Sequence, residues 1–266
     1  MIVIKIGGSI VEGLHSSILD DILEINKREK IVVVHGGGKD VTSVATSMGK
    51  EQKFIVSPEG KRSRYTDKET SLIYTMVMSG KVNKHITSML SNKGIVSVGI
   101  TGIDGETIKA QRKKKLIVLN EKGRKMVIDG GYTGKVSQIN PKLINILLNN
   151  DYLPVISPVA LGEEYEFLNI DGDRAAANVA GALKADVIIF ITNVNGLIMD
   201  GKLVTNLTLN NANTILPKIG PGMEKKILAS TEALALGVKK SIIASGSVQN
   251  PILSALSHTN CTVIVK

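Results

Sequence analysis

The sequence predicts an α/β fold with a mainly parallel central sheet. Short apolar runs alternate with segments whose apolar residues recur near the helical period, as between residues 18 and 25. At the N-terminus, residues 1–6 and 31–34 each form an apolar run that enters a glycine turn and then a helical pattern. Successive strand–glycine–helix units place their strands parallel, with the carboxyl ends at one edge, where such sheets bind ligands.

The other elements follow from the same patterns. Strands are predicted at 95–100, 153–159, 187–191, 241–244 and 261–265, and helices at 18–25, 38–48, 67–94, 141–149 and 175–183, after 222 and near 251. A hairpin is predicted over 54–65, interrupted by the turn residues 57–60. Short β-hairpins are predicted over 107–136.

Length and composition favour a soluble globular protein. The 266 residues, 43% apolar, can bury a substantial core as one large domain or two lobes. No apolar run approaches the roughly 20 residues of a membrane span, and the N-terminus lacks the pattern of a signal peptide, so we expect a cytoplasmic protein that does not bind membranes. The single cysteine, Cys261, cannot form an internal disulfide and is expected to be buried. The sequence also lacks a Cys/His metal cluster, so no metal ligand is predicted.

Lys5 is the first candidate for chemistry. It interrupts an apolar strand that runs directly into Gly7, Gly8 and Ser9. A buried ammonium needs an anionic partner, and glycines let backbone N–H groups approach a phosphate at the start of a helix. The segment alone is equally compatible with a lysine that points to solvent beside an ordinary turn.

Two further glycine turns precede helices. They are His35-Gly36-Gly37-Gly38 and Gly220-Pro221-Gly222, the second followed by Met223 and Lys226. Lysines in the first turn oppose the helix dipole, a conflict that a bound anion removes. Neither the Walker loop nor the six-residue dinucleotide fingerprint occurs.

A third helix start carries carboxylates, in Asp171 and Asp173. Either could cap the helix, or Asp173 could hold nearby amines in place. Together, the glycine turns, the lysines and this aspartate are what phosphoryl transfer without a protein nucleophile requires, since catalysis there is mostly positioning and neutralising charge.

The formal charge of +9 is concentrated in one segment. Between residues 109 and 125, eight basic residues accompany Glu121 alone, and they are Lys109, Arg112, Lys113, Lys114, Lys115, Lys122, Arg124 and Lys125. Such a patch suits an anionic macromolecule or is simply a solvated hairpin. Nucleic acid is disfavoured, because aromatic residues are only 3% and none alternates with the basic ones to stack bases.

These motifs resemble the amino acid kinase family, and within it the acetylglutamate kinase branch, over essentially the whole chain. The matching motifs, in order, are Lys5–Ser9, His35–Gly38, Arg64–Asp67, Asn169–Asp173 and Gly222-Met223 followed by Lys226. The resemblance implies an open αβα sandwich of the carbamate kinase-like type, with β-hairpins in the N-terminal lobe. Residues 1–170 would bind the acyl substrate and form a homodimer, and residues 171–266 would bind ATP.

The resemblance also implies roles for single residues. Lys5 and Lys226 would stabilise the transferring phosphoryl group, and Asp173 would orient both lysines. Arg64, Asn169, Gly37 and Gly38 would bind the substrate. ATP, including its phosphates, would be bound by Gly7, Gly8, Ser9, Thr192, Asn193, Gly222 and Met223. Mg²⁺ would be held by the nucleotide phosphates and water, with no protein ligand.

Two motifs resemble a narrower group, the kinases of carrier-protein-dependent lysine biosynthesis. They are Ser63–Asp67, with Tyr65 where acetylglutamate kinases usually have valine, and Gly80–Lys84. These enzymes phosphorylate 2-aminoadipate, and some also glutamate, while its α-amino group is attached to the C-terminal glutamate of an acidic amino-group carrier protein. A docked acidic carrier needs a positive surface. We expect the surface that docks the carrier to be formed by Lys61, Arg62, Lys109, Arg112, Lys113, Lys114 and Lys115.

Other assignments remain open at this point. One is an N-acetylglutamate kinase of arginine biosynthesis, and another is a nucleotide-sensing or nucleic-acid-binding relative without activity. Asn193 departs from the family, which usually has aspartate there. The first strand begins at Ile2, which argues against the arginine-inhibited hexameric form with its additional N-terminal helix.

Overall fold

The computed structural model describes residues 1–11, 13–60, 62–220 and 222–266. Lys61 and Pro221, both named from the sequence, lie outside the described residues. The strands are, in chain order, β1 (Ile2–Ile6), β2 (Ile31–His35), β3 (Phe54–Val56), β4 (Arg62–Arg64), β5 (Ser97–Thr101), β6 (Ile108–Arg112), β7 (Lys115–Leu119), β8 (Lys125–Asp129), β9 (Gly134–Ile139), β10 (Leu153–Ser157), β11 (Val159–Leu161), β12 (Phe167–Asn169), β13 (Val187–Thr192), β14 (Ile198–Met199), β15 (Lys202–Leu203), β16 (Asn206–Thr208), β17 (Lys240–Ser245) and β18 (Thr262–Val265).

The helices cover both faces of the main sheet. They are α1 (Gly8–Val11), α2 (Ser16–Asn26), α3 (Gly38–Ser47), α4 (Lys68–Thr75), α5 (Asn83–Asn92), α6 (Lys142–Asn149), α7 (Gly172–Ala182), α8 (Leu209–Ile215), α9 (Met223–Ala235) and α10 (Pro251–Leu256). Short 3₁₀ turns occupy Asp104–Glu106 and Leu216–Lys218, and a π-helical segment, Met76–Val82, joins α4 to α5. None of these helices is long and apolar enough to cross a membrane.

The central sheet has the strand order β16-β18-β17-β13-β1-β2-β10-β5. All neighbours in it are parallel except β17 and β18, which pair antiparallel. The prediction of an α/β fold with a mainly parallel sheet is therefore confirmed. β1 lies in the middle, between β13 and β2, so Lys5 is carried by a central strand.

Each face of the sheet has its own hydrophobic core, because side chains alternate along a strand. Val33 and its neighbours pack under α2, α5 and α10, whereas Val32 and Val34 pack under α6, α7 and α9. Cys261 is buried, as predicted, and burial raises the pKa of its thiol.

The predicted hairpins are present and lie beside the main sheet. β3 pairs with β4 and β7 with β8, both antiparallel, and β6 pairs with β9 in a separate four-stranded sheet. The predicted helix over 67–94 is continuous, with Asp67 as its N-cap and Gly94 at its end, where φ is +80°. The sequence pattern does not predict that the middle of this helix is π-helical. The elements between Ile198 and Ile215 were not predicted either.

Candidate active site

Lys5 has the anionic partner that its burial requires. Its Nζ lies 2.7 Å from Oδ1 of Asp173, and both side chains are 8% exposed. Lys5 comes from the central strand β1, and Asp173 from the first turn of α7, which packs across that strand. Burial raises the pKa of Asp173, but the charges of Lys5 and Lys226 outweigh burial and hold the pKa below its usual value.

Lys226 approaches the same carboxylate from the opposite side. Its Nζ lies 3.5 Å from Oδ2 of Asp173, and its side chain is 16% exposed. Lys226 lies in the first turns of α9, which begins at the third glycine turn. Two ammonium groups far apart in sequence therefore meet at one buried carboxylate, which fixes where they point.

The capping role and the amine-holding role belong to different aspartates. Asp171 is the N-cap of α7, and its Oδ1 accepts from the N–H groups of Asp173 and Arg174 at 3.0 and 3.1 Å. Because Asp171 satisfies the helix start, the carboxylate of Asp173 is left for the two lysines. The sequence named both residues and left their roles open.

The first two glycine turns pack directly on each other. A Cβ on Gly36 would lie 2.7 Å from the nitrogen of Gly8, and one on Gly8 would lie 2.9 Å from the nitrogen of Gly37. Only glycines allow this approach. Gly8 and Gly38 each open a helix, α1 and α3, so their N–H groups have no acceptor within those helices. Gly38 lines the same cavity as Lys5.

The N–H of Gly7 already has an acceptor within the protein. It donates to the carbonyl of Ile191 at 3.0 Å and so continues the pairing of β1 with β13. Ser9 is exposed on α1 and is not among the residues that line the cavities described next.

A first cavity of about 680 Å³ opens on the Lys5 side. Its walls come from the β3–β4 hairpin, strands β7 and β9, and the starts of α3, α7 and α9. The predicted substrate residues that line it are Gly37, Gly38, Arg64 and Asn169. Tyr74 and Met78 also line it, and the sequence did not single them out because their helical spacing matches an ordinary core face.

Arg64 is held rigidly at the wall of the first cavity. Its Nη2 donates to the carbonyl of Gly38 at 2.7 Å and to Oγ1 of Thr42 at 2.8 Å, and its Nη1 donates to Gln52. Asn169 donates through Nδ2 to Oγ1 of Thr66 at 3.0 Å. The remaining donors of both side chains are thus fixed in direction before any ligand binds, a form of preorganisation.

A second cavity of about 390 Å³ opens on the Lys226 side. It contains four of the predicted nucleotide residues, and these are Thr192, Asn193, Gly222 and Met223. Oγ1 of Thr192 donates to Oδ1 of Asn193 at 3.3 Å. Apolar side chains, among them Leu197 and Ile219, complete its walls, a composition typical of small-molecule sites.

The basic segment is divided between two pairs of strands. Its members lie partly in β6 and partly at the base of the β7–β8 hairpin, with Lys122 and Arg124 at the tip. Lys109 pairs with Glu106 at 2.6 Å, and Arg112 donates to the carbonyl of Gly131 and stacks over Tyr132. These two have structural partners and are poor candidates for docking.

The other basic residues remain accessible. Lys114 and Lys115 are exposed. Arg62 stacks over the ring of Phe54, 4.0 Å from its centre, and lines the first cavity. Lys113 also lines the first cavity, where partial burial and the charge of Arg174 lower its pKa.

Two lysines, one aspartate and converging glycine N–H groups, placed between two cavities, define a site for phosphoryl transfer between two bound molecules. Comparison with known proteins agrees with a site for phosphoryl transfer. The amino acid kinase family matches residues 1–245. The chain belongs to this family, as its motifs predicted.

Relatives that match over their full length indicate the branch of the family that this chain resembles. The LysW-aminoadipate/LysW-glutamate kinase of Saccharolobus solfataricus is 46% identical over 265 residues, covering 99% of both chains. A protein of Nitrosopumilus maritimus, provisionally assigned the same activity, is 60% identical over 264 residues and also covers 99% of both chains. The solved carbamate kinase of Giardia lamblia bound to AMP-PNP shares the fold, with a TM-score of 0.73 at 16% identity over 100% of this chain and 98% of that chain.

Proposed function

We propose that this protein is an ATP-dependent kinase that phosphorylates the side-chain carboxylate of 2-aminoadipate or glutamate while a carrier protein blocks the amino group. The product is an acyl phosphate, formed in lysine biosynthesis and, with glutamate, in arginine biosynthesis. The observation that carries the proposal is the meeting of Lys5 and Lys226 at Asp173, between the two cavities. The full-length relatives named for this activity support the choice of substrate.

The reaction needs no protein nucleophile. An oxygen of the substrate carboxylate forms a bond to the γ-phosphorus of ATP, and the bond from that phosphorus to the β,γ-bridging oxygen breaks, so ADP leaves with the electron pair. Lys5 would neutralise charge on the transferring group from the acceptor side, and Lys226 from the nucleotide side. Gly8, Gly37 and Gly38 would add backbone N–H donors, which cost no reorganisation because the fold fixes them.

The two cavities suit the two substrates. ATP would occupy the second cavity, whose lining residues all lie between 192 and 226, and the acceptor would occupy the first, lined mainly by residues before 171. This division supports the proposed lobes, 1–170 and 171–266. Within the described residues, no group of three or more Asp, Glu, His or Cys side chains could hold a metal ion. Mg²⁺ would be held mainly by the phosphates and water, and it would supply positive charge to the phosphate oxygens.

The volume of the first cavity, about 680 Å³, exceeds what a free amino acid needs. Its described lining residues include seven cations and three carboxylates, so it favours an anionic guest. We assign the α-carboxylate of the acceptor to Arg64 and its neighbouring polar groups to Asn169. The blocked amino nitrogen would then lead outward along the wall formed by β7 and β9.

The mouth of the first cavity offers a surface for an acidic carrier. Ile117 and Val127 are paired directly across the β7–β8 hairpin and are 56% and 61% exposed. Lys114 and Lys115 at the base of the hairpin and Arg62 on the facing β3–β4 hairpin supply positive charge. An exposed apolar pair with a basic rim is typical of an interface in which charge guides encounter and apolar burial slows dissociation.

We also propose a homodimer formed through the first 170 residues. The exposed apolar side chains Leu72 and Met76, 48% and 54% exposed on α4 and the π segment, support this assignment. Light scattering should give twice the monomer mass of 28.4 kDa, and Met76→Glu should shift it toward the monomer. A monomer in the unchanged protein would contradict the proposal.

Acyl phosphates react with hydroxylamine, so hydroxamate yield tests the function. The yields should be compared for carrier-linked 2-aminoadipate, carrier-linked glutamate and free N-acetylglutamate, each with ATP and Mg²⁺. We expect turnover of the carrier-linked acceptors and little of the free compound. Turnover of N-acetylglutamate alone would instead assign an N-acetylglutamate kinase, and no hydroxamate with any acceptor would refute the kinase assignment.

A further inference from the structure

Two buried polar side chains lie beside the second glycine turn and have no part in the reaction as described so far. His35 ends β2 and is 0% exposed, and Asn83 opens α5 and is 1% exposed. Both belong to motifs that the sequence singled out. Buried polar groups are hydrogen bonded in nearly all native proteins, so the partners of these two side chains indicate what they do.

The hydrogen bonds determine where the imidazole proton lies. Nδ2 of Asn83 is 2.9 Å from the carbonyl of Val155 and 3.2 Å from Nε2 of His35. An amide nitrogen only donates, so Nε2 accepts and carries no proton. Nδ1 of His35 is 3.0 Å from the carbonyl of Gly36, which only accepts. His35 is therefore neutral, with its proton on Nδ1.

The orientation of Asn83 is fixed by its other neighbours. Its Oδ1 accepts from Nζ of Lys84 at 3.3 Å, which agrees with the amide nitrogen facing Val155 and His35. A Cβ on Gly99 would lie 1.7 Å from this Oδ1. The glycine thus leaves the space that the amide needs.

Charge around the ring also favours the neutral form. Burial lowers the pKa of His35 to about 4, the hydrogen bond to Gly36 opposes this, and the charge of Lys5 lowers it further. The charged groups near the pair are Lys5 on β1, Lys84 on α5 and, beyond Lys5, Asp173 on α7. A cationic ring would compete with Lys5 for the same anions.

The hydrogen bond from His35 controls the direction of a donor at the site. The carbonyl of Gly36 and the N–H of Gly37 belong to one planar trans peptide, so they point in opposite directions. Holding the carbonyl toward His35 turns the N–H of Gly37 away from the ring, and Gly37 lines the first cavity. The π-helical segment packs closely against Gly37. A Cβ on Gly37 would lie 2.9 Å from Sδ of Met78 and 3.0 Å from Val82.

We propose that His35 and Asn83 are positioning residues for phosphoryl transfer. Asn83 fixes the Nδ1–H tautomer of His35, and His35 holds the Gly36–Gly37 peptide so that the N–H of Gly37 faces the reacting oxygens. The use of this N–H rests on the proposed function. The tautomer does not, because it follows from the free protein alone.

Nitrogen-15 spectra of histidine-labelled protein test the tautomer. We expect the long-range correlations of His35 to show a protonated Nδ1 and a bare Nε2, unchanged from pH 8 down to about pH 5. His35→Asn identifies the signal by its loss. A proton on Nε2, or titration near the ordinary histidine value of about 6.5, would overturn the proposal without any activity measurement.

Kinetics test the positioning role with the best acceptor found for the unchanged protein. His35→Leu should lower kcat about tenfold or more, because a fixed donor is lost, with less than a twofold change in the KM for ATP. His35→Asn should recover most of that loss, because the asparagine Nδ2 occupies nearly the place of the histidine Nδ1. Equal losses in the two variants would contradict the role assigned to the Gly36 hydrogen bond.

Asn83→Asp gives a signature that a purely structural role would not. The carboxylate would accept a hydrogen bond from a protonated Nε2 and so stabilise the imidazolium, and kcat should therefore acquire a new ionisation between about pH 6 and 8. His85→Leu and Asn92→Asp, exposed positions on the same helix, serve as controls and should leave kcat and its pH profile unchanged. An unaltered profile in Asn83→Asp would refute the role of Asn83. Failure of every acceptor in the unchanged protein would refute the proposed function and leave the tautomer result standing.

Discussion

Lys5 and Asp173 form a buried ion pair, with Nζ 2.7 Å from Oδ1 and both side chains 8% exposed. Removing such charges from water costs several kcal/mol per ion, so a buried pair is a poor device for stability alone. The second contact, from Lys226 to the other oxygen, is longer and more exposed. The carboxylate therefore holds one lysine tightly and the other loosely, which predicts different consequences when each lysine is removed.

Lys5→Met and Lys226→Met should both lower kcat by about 10²- to 10³-fold, because each removes a charge that acts on the transferring phosphoryl group. Only Lys5→Met should also lower the free energy of unfolding substantially, by about 3 kcal/mol, since it leaves a buried carboxylate with its weaker partner alone. Steady-state hydroxamate assays and urea denaturation measure the two effects.

Lys202→Met, at an exposed position on β15, is the control for loss of a positive charge and should change neither quantity. Wild-type turnover in Lys5→Met or Lys226→Met would remove that lysine from the mechanism. Equal destabilisation by both would contradict the asymmetry of the two contacts.

Substitutions at Asp171 and at Asp173 should affect the free energy of unfolding and kcat to different extents. Asp171→Ala removes the cap of α7 and should cost about 1 kcal/mol of unfolding free energy, with a smaller effect on kcat than Asp173→Asn. Asp173→Asn keeps the shape but no longer neutralises the two lysines, so kcat should fall by about 10²-fold or more. Both quantities are measured on the same protein samples. A larger loss of kcat in Asp171→Ala would reverse the assigned roles.

The different outcomes for Lys5 and for the basic segment show what a sequence can predict. Lys5 lies in an apolar strand before glycines, and this local conflict between charge and surroundings indicates a buried partner whatever the distant contacts are. The identity of the partner as Asp173 came only from family resemblance. Arg112 lies among equally basic neighbours, and nothing local in the sequence shows that the carbonyl of Gly131, 19 residues away, already binds it.

His35 and Asn83 show a further limit. They are 48 residues apart, and their contact depends on α5 packing against β10, the strand that pairs with β2. The π segment that places Asn83 has no sequence pattern of its own, since its residues continue the helical spacing. Gly7 shows a related limit, because only the pairing of β1 with β13 shows that the carbonyl of Ile191 accepts its N–H.

Carrier docking should depend on charge at the base of the β7–β8 hairpin. The double substitution Lys114→Glu and Lys115→Glu should raise the KM for the carrier-linked acceptor about tenfold at low salt and leave the KM for ATP unchanged, because like charges then face each other. The difference from the unchanged protein should shrink as salt rises, since screening weakens exposed charges.

The matched control is Lys27→Glu with Arg28→Glu, at exposed positions at the end of α2 and just after it. This pair makes the same change of net charge away from the first cavity and should leave the KM for the carrier-linked acceptor unchanged. Equal effects from the two double variants would mean that overall charge, rather than this surface, attracts the carrier.

His35 should make the folded protein lose stability as the pH falls below neutrality. Its pKa is about 4 in the folded protein and about 6.5 in the unfolded chain. Between these values the unfolded chain binds the extra proton, so the free energy of unfolding falls as pH decreases from 6.5 to 4, by about 3 kcal/mol from this residue. Asp173 and Asp186 have lowered pKa values, so their contributions are lost only below about pH 4 and do not overlap this range. Urea denaturation at pH 7 and 4.5 should therefore show a smaller pH dependence in His35→Asn than in the unchanged protein, whereas His85→Leu should match the unchanged protein. Equal pH dependence in His35→Asn and the unchanged protein would show that His35 does not resist protonation in the folded state.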